Sequence, residues 1–204
     1  MSLFTNNPVR MKNIIVNQND PRVLKTKSQF MKAFKELLLV YDDYMNITVK
    51  ELCVTANLNR KTFYLHYKQV DDLFSQLQEE AIRDFNEIIK DVDVYKDVEG
   101  VIMAYFDFNE SNPVYQKLTL SPYYTYTKEI SRRKALPVFK EKNKLTEDIH
   151  NKDYIRDYVI SFYYYTGYFA YLKWVRSNRP IPKEEAVKIA ASLIKNGISS
   201  TQNL

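Results

Sequence analysis

The sequence predicts an all-α protein, with a three-helix helix-turn-helix unit near the amino end and a longer helical region after it. Apolar residues recur at helical spacing through most of the chain. Residues that cap helices stand where these runs begin. Only 3 of the 204 residues are glycine, and no segment requires a β-strand.

The first helix is expected to begin at Pro21, with Asp20 as its N-cap. Before it, residues 1–19 mix Asn, Pro and Gln with a short apolar run, which predicts a flexible arm. The helical spacing continues to about Tyr41 and places Leu24 among the core residues.

Residues 47–73 organise the chain as two short helices joined by a tight turn, with another helix directly after them. Thr48 and Glu51 have the spacing of a capping box at the start of the first helix. Asn57 stands at the turn, and asparagine tolerates the left-handed backbone that such a turn needs. Asn59 is placed to cap the second helix.

The second helix, from Arg60 to about Tyr67, is predicted to have an aromatic inner side formed by Phe63 and Tyr67. Its outer side carries hydrogen-bond donors, which are Arg60, Lys61, Thr62, Tyr64 and His66, followed by Lys68. Such a face fits the major groove of DNA, where phosphates and base edges accept hydrogen bonds. The alternative is a solvated amphipathic helix, because many charged faces simply contact water.

The stretch TVKELCVTANLNRKTFYLHYKQVDDL resembles the DNA-binding domain of the TetR family of bacterial transcriptional regulators. The resemblance continues upstream to Asp20 and covers about the first third of the chain. It implies a DNA-binding domain at residues 20–75 and a regulatory and dimerisation domain at residues 76–204. Two positions depart from the usual pattern: Asn57 replaces the turn glycine, and Val70 replaces a lysine that often contacts a phosphate.

The resemblance and the donor pattern together select a set of candidate DNA contacts. These are Thr26, Lys27, Thr48, Asn59, Arg60, Lys61, Thr62, Tyr64, His66 and Lys68. At the position of His66 the family uses His or Tyr to hold a phosphate, and the alternative here is a core histidine. Residues 1–77 carry 11 Lys and Arg against 7 Asp and Glu, whereas the rest carries 19 against 18. The excess positive charge therefore lies with the candidate DNA contacts.

The later part of the chain is predicted to be helical throughout. Helices are expected from about Asp71 to residue 91, from Val98 to Phe108, after Asn112-Pro113, after Ser121-Pro122, from Asp153 to Ser177, and after Pro182. The helix from Asp153 is apolar on nearly every side, which predicts burial on every side. Gly167 within it indicates close packing of another backbone, and Gly197 is expected to end the last helix as its C-cap.

The last two helices resemble the final helix pair of a TetR subgroup from low-GC Gram-positive bacteria. In the family, this pair forms a four-helix dimer interface with its copy. The resemblance therefore implies a homodimer that binds a near-palindromic operator. The expected interface residues are Phe162, Tyr165, Phe169 and Trp174, for which the alternative is a place in the core.

The many tyrosines of the later region raise the question of a ligand pocket. In the family, effectors bind among the middle helices, which places Tyr105, Tyr123 and Tyr126 in a pocket wall. A pocket of this composition suits an apolar or aromatic small molecule. The first reading is thus a ligand-responsive repressor. The alternative is a co-activator or adaptor that acts through a protein partner and fills any cavity with its own tyrosines.

Other classes of function find little support in the sequence. A single cysteine excludes an internal disulfide and favours a reducing, cytoplasmic location. No apolar run approaches the roughly 18 residues of a membrane span, and no signal peptide is evident. The two histidines lie 84 residues apart without ligand-spaced partners, so neither a metal nor another cofactor is expected. No catalytic constellation stands out, and an enzyme is not expected.

Overall fold

The computed structural model describes residues 20–124 and 153–199, which form an all-helical fold. Its α-helices are α1 (Pro21–Val40), α2 (Val49–Ala56), α3 (Arg60–His66), α4 (Val70–Ile88), α5 (Val98–Ser111), α6 (Pro113–Leu120), α7 (Asp153–Arg176) and α8 (Lys183–Ser199). A 3-10 turn spans Tyr44–Asn46. The all-α fold class is therefore confirmed, while the predicted arm of residues 1–19 lies outside the described part.

Local capping interactions begin the first helices as predicted. The Asp20 carboxylate accepts a hydrogen bond from the Arg22 amide at 2.8 Å, and Pro21 is the first helical residue. In α2, the Glu51 amide donates to the Thr48 hydroxyl oxygen at 3.2 Å, and the Thr48 amide donates to the Glu51 carboxylate at 2.9 Å. Because both partners are satisfied, this capping box fixes where α2 begins.

The turn between α2 and α3 depends on a left-handed residue. Asn57 has φ 53° and ψ 45°, and the next amide, of Leu58, donates to the Cys53 carbonyl at 2.9 Å. Asparagine adopts this conformation more readily than other residues with a Cβ. The sequence departure at the turn therefore preserves the sharp reversal that glycine usually provides.

Aromatic packing holds α3 against α1. The Phe63 ring is fully buried and meets the Phe30 ring edge-to-face, with centroids 5.4 Å apart. Tyr67 packs against the same ring at 6.0 Å. The predicted inner side of α3, formed by Phe63 and Tyr67, is therefore confirmed. The opposite side of the helix faces away from the core.

The core under the helix-turn-helix unit continues into the later helices. One buried cluster joins α1 to α4 with Tyr115 and Leu118 of α6 and with Tyr168 and Leu172 of α7. The Tyr44 ring stacks on Phe74 of α4 at 4.0 Å. The amino-terminal helices thus share their interior with α6 and α7.

A second buried cluster joins α5, α7 and α8. The Trp174 ring lies 5.5 Å from the Phe106 ring, and its Nε1–H donates to the Ile181 carbonyl at 2.9 Å. Arg179, in a left-handed conformation with φ 51°, places its guanidinium 5.2 Å from the Trp174 ring and 3.3 Å from the Glu110 carboxylate. These contacts fix the reversal from α7 to α8.

One expectation about side-chain burial was wrong, and a second is not met within a single chain. Leu24 is 53% exposed and belongs to neither buried cluster of the described residues, so the core-facing stripe of α1 begins after it. In α7, Tyr158, Phe162 and Phe169 are exposed, because α5 and α8 leave one side of this aromatic helix open.

The two glycine predictions were also wrong. A Cβ at Gly167 would lie 2.8 Å from the Ile102 side chain, so a side chain, and not another backbone, packs there. Gly197 lies inside α8, and a Cβ at this position would lie 2.5 Å from the Phe162 ring. Both glycines therefore make room for a neighbouring side chain.

Hydropathy separates these helices from membrane segments. Among the described residues, no helix combines the length and the apolar character that crossing a bilayer requires.

The capping box of α2 predicts a pH-dependent stability. Hydrogen bonds from Thr48, and then from Tyr41, favour the carboxylate and lower the pKa of Glu51 to about 2. Since this folded-state pKa lies below the ordinary value, the carboxylate stabilises the fold above about pH 4.3, and this stabilisation is lost as the pH falls toward 2. Glu51→Gln should therefore lower the melting temperature at pH 7 and differ progressively less from the wild type below pH 4.

Thermal melts of both proteins at pH 7, 5, 4 and 3 provide the measurement. Thr48→Ser, which keeps the hydroxyl, serves as the control and should retain the wild-type pH profile. A difference between Glu51→Gln and the wild type that is the same at pH 7 and pH 3 would contradict this role of the capping box.

Candidate nucleic-acid interface

The outer face of α3 is open and carries the predicted donors. Arg60, Lys61, Tyr64 and Lys68 are all exposed, and the Tyr64 ring contacts Phe63 edge-to-face at 5.3 Å. This ring contact restrains Tyr64, although about half of its side chain remains exposed. The arrangement presents positive charge and a hydroxyl group on one side of a short, well-anchored helix.

Three of the predicted contact residues are engaged inside the helix-turn-helix unit. The Thr48 hydroxyl donates to the Glu51 carboxylate at 2.6 Å. The Asn59 side-chain oxygen accepts from the Thr62 amide at 2.8 Å and from the Thr62 hydroxyl at 3.0 Å. These side chains therefore set the starts of α2 and α3, which positions the neighbouring donors.

The start of α1 lies beside the end of α3. Burial lowers the pKa of His66, and the nearby positive charge of Lys27 lowers this pKa further, so the imidazole is neutral at pH 7. Its Nδ1 is buried and has no hydrogen-bond partner in the described part of the chain. The Thr26 hydroxyl donates to the Arg22 carbonyl at 2.9 Å, so it already has a partner in its own helix.

The start of α4 explains the second departure from the family pattern. Val70 is partly buried and packs against the core under α1 to α4. The Lys68 amide donates to the Asp72 carboxylate at 2.6 Å, which completes the cap of α4, while the Lys68 side chain is exposed. Residue 70 thus contributes apolar packing, and the exposed cation lies two positions earlier.

A small cavity of about 70 Å³ lies among α4, α5 and α7. Of the three predicted pocket tyrosines, Tyr105 lines it. Tyr123 lies away from it, edge-to-face against Tyr44 at 5.6 Å, and Tyr126 lies outside the described residues. The lining also contains Tyr124, Tyr163, Tyr164 and Tyr168, which were not among the tyrosines assigned to the pocket wall. The one-turn spacing of Tyr164 and Tyr168 was the available signal.

The cavity combines aromatic walls with a few neutral polar groups. The Thr119 hydroxyl donates to the Asn109 side-chain oxygen at 2.7 Å, and the Asn109 amide group donates to the Tyr105 carbonyl at 2.8 Å. Burial raises the pKa of Tyr105 and of Tyr164 well above the usual value, so both hydroxyls stay protonated. None of the described lining residues is charged. Such a site favours an uncharged molecule.

Helix α6 connects this cavity to the amino-terminal helices. Thr119 lines the cavity, and one turn earlier Tyr115 donates to the Asp84 carboxylate and lies 3.3 Å from the Glu80 carboxylate. Glu80 in turn forms an ion pair with Lys35 of α1. A continuous line of contacts therefore runs from the cavity wall through α6 and α4 to α1.

An apolar groove of about 800 Å³ lies along α7 and α8. Phe162, Tyr165 and Phe169, three of the predicted interface residues, line it. Trp174 also touches the groove but is buried in the protomer core, so it supports the groove from beneath. Three further exposed residues, which were not predicted, extend the same surface. They are Tyr158, Ile189 and Leu193.

Comparison with known proteins finds helix-turn-helix transcriptional regulators among the relatives. No family model matches the chain. It is 35% identical over 60 residues to the uncharacterized HTH-type transcriptional regulator YxbF of Bacillus subtilis (strain 168), across 29% of this chain and 16% of that protein. It is 29% identical over 101 residues to the HTH-type dhaKLM operon transcriptional activator DhaS of Lactococcus lactis subsp. lactis (strain IL1403), across 49% of this chain and 52% of that protein.

The fold agrees with these sequence matches. A TetR transcriptional regulator from Streptococcus agalactiae 2603V superposes with a TM-score of 0.61 and 24% identity, across 86% of this chain and 96% of that one. The sequence matches to the curated relatives span about half of one protein and a sixth of the other. The relatives are regulators and not enzymes. The fold of the described residues is thus similar to that of a TetR regulator, and the sequence matches are to helix-turn-helix transcriptional regulators.

Proposed function

We propose that the chain is a sequence-specific DNA-binding transcriptional regulator, in which residues 20–75 bind DNA and residues 76–204 dimerise and regulate. The outer face of α3 is the observation that carries this proposal. Phe63 anchors the helix from inside, while Arg60, Lys61 and Tyr64 remain exposed. The helix-turn-helix relatives favour this reading over a merely solvated helix.

The candidate contacts divide into base-reading and phosphate-binding residues. Arg60 and Lys61 lie at the start of α3 and suit base edges, since Lys can donate to a guanine. Tyr64 has a rigid ring and one hydroxyl, which suits a phosphate that sets register. A neutral His66 with its buried Nδ1 unprotonated would keep an Nε2–H donor for a second phosphate.

The groove along α7 and α8 supports a homodimer. Phe162 and Phe169 expose aromatic surface there, next to Ile189 and Leu193 of α8. A contiguous apolar surface of this kind is typical of an interaction site. A two-fold pair of copies would cover it and would present two α3 helices to a near-palindromic operator.

The cavity supports a ligand-responsive repressor. Its lining favours an uncharged aromatic or amphipathic molecule, and α6 connects the lining to α1 through Tyr115, Glu80 and Lys35. A ligand that fits only one arrangement of α6 would shift the population toward that arrangement. The operator affinity would fall if the favoured arrangement separates the two α3 helices.

A co-activator or adaptor without a small-molecule effector is the second candidate. The cavity of about 70 Å³ is roughly half the size of a 150 Å³ cavity that admits benzene. The space left between its tyrosines is therefore smaller than a benzene-sized effector needs. In addition, the relative DhaS is named as an activator. In this reading, a protein partner takes the place of the ligand.

Substitutions on α3 test the division of the DNA contacts. Operators are first selected from random duplexes with the purified chain. Lys61→Ala should weaken operator binding by roughly 1–3 kcal/mol more than it weakens binding to random DNA. Tyr64→Phe should weaken both by similar factors, since it loses a phosphate contact. Affinities are measured by fluorescence anisotropy at one salt concentration. Equal losses for Lys61→Ala on both DNAs would make Lys61 a phosphate contact.

The homodimer predicts a specific effect of charge in the groove. Phe169→Asp should convert a micromolar dimer into a monomer, because the interface would bury an unpaired carboxylate. The fold should survive, since Phe169 is half exposed in the protomer. Sedimentation equilibrium provides the measurement. Val40→Asp, at an exposed apolar residue at the end of α1, is the matched control and should remain dimeric. A monomeric wild type would refute the homodimer.

A ligand screen separates the two candidate functions. Uncharged aromatic compounds should raise the melting temperature as their concentration increases, whereas sugar phosphates should not. At a concentration of 100 times Kd, the free energy of unfolding should rise by about 2.7 kcal/mol. A compound that raises the melting temperature should also weaken operator binding. Ala81→Val, which narrows the cavity, should reduce the shift, whereas Ala104→Val on α5 outside the lining should keep it. If no compound raises the melting temperature, the partner-dependent reading is favoured.

A further inference from the structure

An apolar side chain lies in the middle of the face that carries the donors of α3. Leu65 is 55% exposed and belongs to neither buried cluster of the described part of the chain. Its neighbours on the same side are Lys61, Tyr64 and Lys68, all exposed. Leu65 has no hydrogen-bond donor in its side chain and is therefore not among the predicted DNA contacts.

Helix geometry places Leu65 opposite the core. Phe63 is fully buried, and two residues of an α-helix correspond to a rotation of about 200°. Leu65 therefore points almost directly away from the side that anchors α3. Lys61, one turn before it, lies on the same stripe. When this face meets DNA, these two side chains extend furthest toward it.

Folding gives no reason for leucine at this position. Its side chain gains little from burial, because more than half of it stays in contact with water. Lys, Arg or Gln would favour the helix about as well and would suit the surrounding charges. An isolated exposed leucine is common on protein surfaces. This one, however, lies at the centre of a basic face that the proposed function directs into the major groove.

The chemistry of the groove supplies a partner. In the major groove, only thymine presents a methyl group, and apolar side chains distinguish it by direct contact. Phosphates and the other base edges offer polar groups, which a leucine cannot bind. We propose that Leu65 is a specificity-determining residue that contacts the C5-methyl group of one thymine in each operator half-site. This inference rests on the proposed DNA-binding function.

The spacing on α3 also predicts where this thymine lies. Leu65 and Lys61 are four residues apart, which corresponds to about 6 Å along the helix axis. Base pairs repeat at about 3.4 Å. The thymine should therefore lie about two base pairs from the guanine that Lys61 contacts.

Replacement of thymine by uracil tests the contact, because it removes only the methyl group. Operators are selected from random duplexes with the full chain, and each thymine is then replaced in turn by uracil. For the wild type, one replacement per half-site should weaken binding about fourfold, as expected for the loss of one buried methyl group. For Leu65→Ala, the same replacement should change the affinity by less than 1.5-fold. Leu65→Met, which keeps an apolar side chain, should retain the sensitivity.

Leu39→Ala is the matched control, since Leu39 is a similarly exposed leucine at the other end of the same unit, on α1. It should keep the wild-type uracil profile. Circular dichroism melts confirm that all variants are folded. If the uracil profiles of Leu65→Ala and the wild type are identical, Leu65 reads no methyl group and the inference is wrong. If no duplex is enriched at all, the proposed function fails and this inference fails with it.

Discussion

The edge-to-face contact between Phe30 and Phe63 is the interaction on which the proposed interface depends. Because α3 has only seven residues, its own hydrogen bonds are too few to hold it in place. A fully buried aromatic side chain contributes on the order of 3–5 kcal/mol, which is large beside the intrinsic stability of so short a helix. The outer face of α3 can carry charge without a structural penalty because its inner face is anchored in this way.

The same core extends beyond the helix-turn-helix unit. Tyr115 of α6 and Tyr168 of α7 are buried in the cluster that also contains Phe63 and Phe74. A change in the position of α6 or α7 would therefore alter the packing beneath α1 and α4. The cavity wall and the helices beneath the proposed DNA-binding face therefore share one continuous interior.

Local features could be predicted from the sequence, whereas contacts between distant segments could not. The capping box at Thr48 and the left-handed Asn57 depend on residues within a few positions of each other. In contrast, the need for glycine at position 197 comes from the Phe162 ring of another helix, which leaves no room for a Cβ. The cavity likewise brings together tyrosines from α5 and α7. Leu65 was missed because an apolar residue was not considered as a candidate for contact with DNA.

The buried hydrogen bond between Thr119 and Asn109 limits how α6 can move. A small slide of α6 along α5 would separate the two side chains in an apolar setting, where an unpaired polar group costs about 1–3 kcal/mol. Intermediate positions are therefore unfavourable, and only a displacement that finds both groups new partners is tolerated. Any signal carried by α6 would therefore have to shift this helix between positions in which both side chains are hydrogen-bonded.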